Sequence, residues 1–214
     1  MGAGGGADGQ AEGFWEAHYR RSPRVWTGRA NAVLADVAAP LAPGTALDLG
    51  CGEGGDAVWL ARRGWRVTAV DVSATALARV REHAAAAGVG DRVVARQHDL
   101  ARTFPAGAYD LVAASYLQSP VHLPRTAVLR AAAGAVAPGG LLLVVEHASV
   151  PPWSWADPGT RFPAPEEVLA SLDLPPATWH PERVGAFQRE ATGPGGQRAA
   201  VTDTVLAVRR AGAA

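Results

Sequence analysis

Residues 46–55 read ALDLGCGEGG. A short apolar run contains Asp48 near its end, and a glycine-dense turn carrying a second acid, Glu53, follows it. Gly50, Gly52 and Gly55 satisfy the spacing G-x-G-x-x-G, in which glycines let the backbone approach a ligand with no Cβ in the way. In an open α/β sheet, ligands sit at such turns, past the carboxyl ends of the strands. A pyrophosphate seeks exposed N–H groups without carboxylates nearby. Asp48 and Glu53 speak against one, because like charges ~4 Å apart at an effective dielectric of ~20 repel by about 4 kcal/mol. The turn suits a ligand bearing positive charge, an ammonium or a sulfonium.

Outward from this turn the chain alternates. Residues 46–50 form a strand; 56–64 a helix ended by Gly64; 65–72 a strand; 73–88 a helix with Ser73 as N-cap and Gly88 as terminator. Strands follow at 91–100 and 109–117, a helix at 125–137, and a turn and buried strand at 138–147. Upstream, 11–20 reads as a short helix with Phe14, Trp15 and Tyr19 on one side, and 29–39 as a helix stopped by Pro40 and Pro43. The last third opens with the Pro-rich, aromatic stretch HASVPPWSWADPGTRFPAP, too long for a plain connector. A short helix at 165–172 and a second Pro-rich loop, LDLPPATWHP, lead to strands 186–192 and 201–210, which flank the turn GPGGQ as an antiparallel hairpin. These elements predict an α/β fold: a Rossmann-like, seven-stranded, mostly parallel sheet with helices on both faces and a C-terminal antiparallel hairpin.

A further acid, Asp71, ends the next strand 21 residues after Gly50, an offset suited to accepting hydrogen bonds from ribose hydroxyls. A nucleoside with cationic groups in place of phosphates is S-adenosylmethionine. DLGCGEG (48–54), AVDVS (69–73), HDL (98–100), YDLVAASYL (109–117) and APGGLLLVVEH (137–147) together resemble the class I S-adenosylmethionine-dependent methyltransferase family. WTGRANAVL (26–34) is similar to the small subgroup that includes tellurite-resistance and thiopurine methyltransferases. The resemblance implies S-adenosyl-L-methionine as cofactor, S-adenosyl-L-homocysteine as product, and the following roles. Gly50, Cys51 and Gly52 contact the methionine portion through their backbone, and Asp48 faces its ammonium. Asp71 holds the ribose diol, Val72 packs on adenine, Asp99 accepts from the adenine amino group and Leu100 packs beside it. Ser115 and Tyr116 lie near the transferring methyl; Trp26 and Arg29 lie near the cofactor carboxylate or under a lid. Plainer readings stand beside these: Asp48 as a helix-capping acid, Asp71 and Asp99 as turn acids, and Cys51 as a small buried residue rather than a nucleophile.

Composition narrows the rest. Formal net charge is zero, all twenty basic residues are Arg, and there is one cysteine, so Schiff-base lysine chemistry, an intramolecular disulfide and a thiolate metal cluster are excluded. No basic stripe or long apolar run points to nucleic acid or a membrane, and the expectation is a cytoplasmic monomer or homodimer acting on a small-molecule methyl acceptor, with no metal. Residues 1–10 read as a disordered tail, 11–44 as helices forming part of a lid, and 45–214 as the cofactor-binding methyltransferase domain. His122, His147 and Tyr19 are candidate proton acceptors by placement; Trp153 and Trp155 are candidate substrate contacts in the Pro-rich loop; His83 reads as solvated. The subgroup implies a thiol acceptor, the alternatives being an O- or N-methyl acceptor among natural products, an NAD-type oxidoreductase, or a cofactor-binding module without catalysis.

Overall fold

The computed structural model describes residues 9–23, 25, 28–154, 157, 159–193 and 195–212. Two short helices, α1 (Gln10–Arg20) and α2 (Ala32–Ala38), precede an alternation of β1 (Thr45–Leu49), α3 (Gly55–Arg62), β2 (Arg66–Asp71), α4 (Ala74–Ala86), β3 (Val93–Gln97), β4 (Tyr109–Ser115), α5 (Arg125–Gly134) and β5 (Val136–His147). The chain finishes with α6 (Pro165–Ser171), β6 (Trp179–Thr192) and β7 (Arg198–Arg210). The seven strands form one sheet in the order β3-β2-β1-β4-β5-β7-β6. The first five run parallel, and β7 inserts antiparallel between β5 and β6. Strand order reverses between β1 and β4, so the carboxyl end of β1 lies at the switch point where such sheets bind ligands.

Alternation along each strand divides two cores. Ala46, Val67, Ala69 and Leu111 pack with Leu34, Leu60 and Val80 of α2, α3 and α4 on one face. Leu47, Leu49, Val70 and Val112 pack with Leu129 and Val168 of α5 and α6 on the other. Helix ends follow the expected chemistry: the Ser73 hydroxyl accepts from Ala76 N–H, and Gly64 and Gly88 adopt positive φ after α3 and α4.

Several element ends shift by a few residues, and two stretches differ in kind. Residues 90–92 make a 3₁₀ turn rather than the start of β3. LDLPPATWHP is not wholly loop, because β6 begins at Trp179, whose ring is buried. Pro181 fits within β6 because that strand is an edge, and the pairing register shifts between Pro181 and Arg183. No described helix is long and apolar enough to cross a membrane.

Candidate functional site

A cavity of about 720 Å³ opens over the carboxyl ends of β1, β2 and β4. Its floor is the glycine turn. Gly50, Gly52 and Gly54 all have positive φ, and at Gly50 a Cβ would stand 2.5 Å from Cδ1 of Leu117. The Cys51 N–H donates to Val70 O, tying the turn to β2. Burial pushes the Cys51 thiol well up, and the nearby Asp71 and Asp48 carboxyls add to that effect, so the residue is held as a neutral thiol.

Three carboxyls rim this floor: Asp48, Asp56 and Asp71, all buried. Asp48 is 2 % exposed, and its Oδ2 has no hydrogen-bond partner among the described residues. Burial raises it well above the usual carboxylate range, and Asp56 and Asp71 raise it further. Asp56 opens α3 and accepts from Asn31 N–H at 2.6 Å; burial raises it too. The Ser115 hydroxyl lies beside Asp56, short of a well-formed hydrogen bond. Asp71 accepts from Gly52 N–H at 3.0 Å and Ser73 N–H at 2.9 Å, yet burial still leaves it raised. Among the described residues no guanidinium forms an ion pair with any of the three.

Glu53 departs from its expected part in repelling phosphate. It lines the cavity, but its carboxylate pairs with Arg79 at 2.6 Å while accepting from Val25 N–H. The negative field of the floor therefore comes from Asp48, Asp56 and Asp71. His83 likewise departs from the solvated reading: its Nδ1 lies 2.8 Å from Glu53 O, beneath the turn.

The structure brings most of the sequence candidates together. Tyr19, Arg29, Asp48, Gly50, Cys51, Gly52, Asp71, Val72, Asp99, Leu100, Ser115, Tyr116, His122 and His147 all line the cavity. Asp99 Oδ1 accepts from Ala101 N–H, so one oxygen serves the turn it sits in. Trp26 and Trp155 lie outside the described residues. Trp153 does not line the cavity; it packs at the β6–β7 turn, where a Cβ on Gly193 would stand 2.6 Å from its Cδ2.

The roof is α1. Glu16 accepts from Ser73 Oγ, Thr75 N–H and Thr75 Oγ1, docking α1 on the start of α4. Burial would raise the Glu16 carboxyl, but these bonds and Arg20 outweigh it and hold the pKa at about 2. Trp15 lines the cavity from this helix and donates from Nε1 to Ser119 Oγ at 3.3 Å.

The far wall holds residues that sequence reasoning missed. Asp203 of β7, 1 % exposed, accepts from Tyr116 Oη at 2.8 Å and Arg189 Nε at 2.5 Å. Arg189 of β6 also lines the cavity. Burial alone would raise Asp203, but the nearby His147 and its bonds from Arg189 and Tyr116 win and hold it below the usual range. The signal was an acid inside the apolar strand VTDTVLAV, where a buried charge needs partners.

Residues 46–140 match the methyltransferase domain family. The chain is 34 % identical over 122 residues to a ribosomal RNA small subunit methyltransferase C of Alcanivorax borkumensis, covering 54 % of this chain and 36 % of that one. It is 39 % identical over 94 residues to a ubiquinone biosynthesis O-methyltransferase of Cronobacter sakazakii, covering 44 % of this chain and 38 % of that one. The chain thus spans little more than a third of the length of either relative. Among solved structures it superposes on a S-adenosylmethionine-dependent methyltransferase of Geobacter sulfurreducens in complex with S-adenosyl-L-homocysteine, with a TM-score of 0.50 and 26 % identity over 63 % of this chain and 56 % of that one. With its sheet order and the glycine turn at the switch point, the chain has a Rossmann-like methyltransferase fold, and residues 46–140 of it are similar to class I S-adenosylmethionine-dependent methyltransferases.

Proposed function

We propose that this protein moves a methyl group from S-adenosylmethionine to a nucleophilic atom of a small molecule. The observation that carries the reading is the trio Asp48, Asp56 and Asp71, buried at one glycine turn without a guanidinium partner among the described residues. A cationic nucleoside relieves their mutual repulsion, whereas a dinucleotide would bring two more negative charges to it. The unpartnered Oδ2 of Asp48 is assigned the ammonium. Asp71, with lone pairs beyond those used by Gly52 and Ser73, is assigned the ribose diol. Val72 and Leu100 are assigned the adenine faces, Asp99 the adenine amino group, and Arg29 the cofactor carboxylate. We assign α1 and α2 to the lid.

Bound S-adenosylmethionine supplies an electrophilic methyl on a sulfur that leaves as a neutral thioether, so the leaving group needs no acid. The chain's own contribution is placement of the acceptor, and well-oriented groups gain roughly 7–11 kcal/mol in this way. Pockets of roughly 300–1,000 Å³ hold small ligands, and this cavity of about 720 Å³ falls in that range. The zero net charge and the acid-lined floor argue against a polyanionic acceptor such as RNA. The test is incubation with methyl-labelled cofactor and a panel of thiols, phenols, amines, carboxylates and ribosomal RNA. Label in a small molecule is expected; label in RNA alone, or binding without transfer to any acceptor, refutes the reading.

A further inference from the structure

The wall opposite the glycine turn joins His147 at the end of β5, Tyr116 and Gln118 just after β4, and Asp203 within β7. His147 and Asp203 stand directly opposite one another in the β5–β7 ladder. Nδ1 of His147 lies 3.7 Å from Oδ1 of Asp203, an ion-pair rather than a hydrogen-bond distance. The imidazole stacks on the Tyr116 ring, with centroids 4.1 Å apart and planes 11° from parallel. Its backbone is clamped on both sides by Gln118, whose Oε1 accepts from His147 N–H and whose Nε2 donates to His147 O. Tyr116 itself has φ +55°, a left-handed conformation that costs a non-glycine residue of order 1–3 kcal/mol. The strain is held by Tyr116 N–H donating to Val145 O at 2.7 Å and by Oη donating to Asp203, and its result is a ring lying flat under His147.

We propose that His147 is the general base of this site, positioned by Asp203 and Tyr116, and that the acceptor is a weakly acidic hydroxyl such as a phenol. This rests on the methyl-transfer reading above. Nδ1 faces a buried carboxylate while 45 % of the side chain is exposed, and the residue lines the cavity, so the ring's far edge with Nε2 is the one offered to an acceptor. Competing candidates fit less well. Tyr116 is a neutral donor, since burial and Asp203 push its hydroxyl far above the usual range. Tyr19 is 3 % exposed, with its ring packed against Trp15 and His18. His122 is exposed, and nothing among the described residues orients its ring.

The presence of an oriented base selects the acceptor. A thiol ionises near neutral pH and needs no base, whereas a phenol with a pKa of ~10 is almost wholly protonated there. In the step, the acceptor O–H proton passes to Nε2 of His147. The oxygen's electron pair forms the new O–CH₃ bond, while the electron pair of the broken CH₃–S bond remains on sulfur and cancels its positive charge. The imidazolium then gives its proton to water.

Two measurements test this. In the cofactor-free protein, ¹⁵N NMR of the histidine side chains should find His147 protonated at Nδ1, and Asp203→Asn should abolish that tautomer preference. With cofactor, His147→Gln should lower kcat/KM by at least ~100-fold on unsubstituted phenols, the usual worth of a general base, and far less on a nitrophenol already ionised at the assay pH. Cofactor affinity, read by calorimetry, should be retained. His147 is half-exposed, so this variant serves if Asp203→Asn fails to fold. Equal losses on both phenols, no loss on either, or an Nε2–H tautomer in the wild type would overturn the proposal. A wild type that labels thiols or amines but no hydroxyl overturns it while leaving methyl transfer standing; one that binds cofactor and labels nothing overturns both.

Discussion

Replacing Asp48 by Asn tests the electrostatic heart of the site with minimal change in shape. The amide keeps an oxygen for the Ala57 N–H that the carboxyl accepts from, but loses the negative charge at Oδ2. A charge-assisted hydrogen bond to an ammonium contributes about 1.5–3 kcal/mol, so S-adenosylmethionine should bind roughly 10–150-fold more weakly. Methylthioadenosine, which lacks the amino-acid portion, should bind both proteins alike. Stability should move the other way. Asp48 is raised in the folded chain, so its contribution is full below its unfolded pKa and lost as pH rises through the folded one. The cofactor-free wild type should therefore lose stability as pH climbs, and the Asn variant should melt at a higher temperature at neutral pH. A proton and the ammonium compete for the same carboxylate, so wild-type affinity should also fall as pH drops, with a shallower slope in the variant. Calorimetry across pH reads all of this. Unchanged affinity for S-adenosylmethionine, with unchanged pH slope, would refute the placement of the ammonium.

Three further outcomes are expected. Asp71→Ala should weaken cofactor binding severely and also lower the melting temperature, because the buried N–H groups of Gly52 and Ser73 lose their acceptor at a cost of about 1–3 kcal/mol each; full retention of both in calorimetry and thermal melts would contradict this. Gly50→Ala should reduce affinity more than stability, since it strains a φ of +65° and drives Leu117 into the cavity, as a binding titration beside a thermal melt would show. Glu16→Ala should loosen α1 and speed its proteolytic cleavage; the stability Glu16 contributes is present above about 4.5 and lost as pH falls toward about 2, so the acid limb of the melting curve should flatten in the variant.

Much of the fold was legible because its signals are local. Apolar runs bounded by glycine, a Ser N-cap and positive-φ terminators each act within a few residues, and all seven strands lie where those signals put them, with ends shifted by a few positions. The start of β6 was hidden because Pro181 reads as a breaker, and only its place at a sheet edge makes it acceptable. On the floor of the site, Asp48 and Asp71 were readable from spacing within two consecutive β-α units. Glu53 was misjudged because its partner Arg79 comes from α4, 26 residues on and beyond both α3 and β2, a contact that no local pattern encodes. Asp203 and Arg189 were missed for the same reason: the hairpin meets Tyr116 across 87 residues of chain, and only strand order shows that β7 lies beside β5.

That strand order also divides the walls of the cavity between two stretches of the chain. The glycine-turn floor comes from β1, β2 and the turn after β3, all encoded before residue 101, whereas the opposite wall draws on Tyr116 and on β5, β6 and β7. Under the proposed reading, changes in the hairpin retune which chemical partner is accepted without rewriting the glycine-turn pocket. A combinatorial library confined to positions 186–190 and 202–204 would explore new acceptors while leaving the glycine-turn half of the cavity untouched.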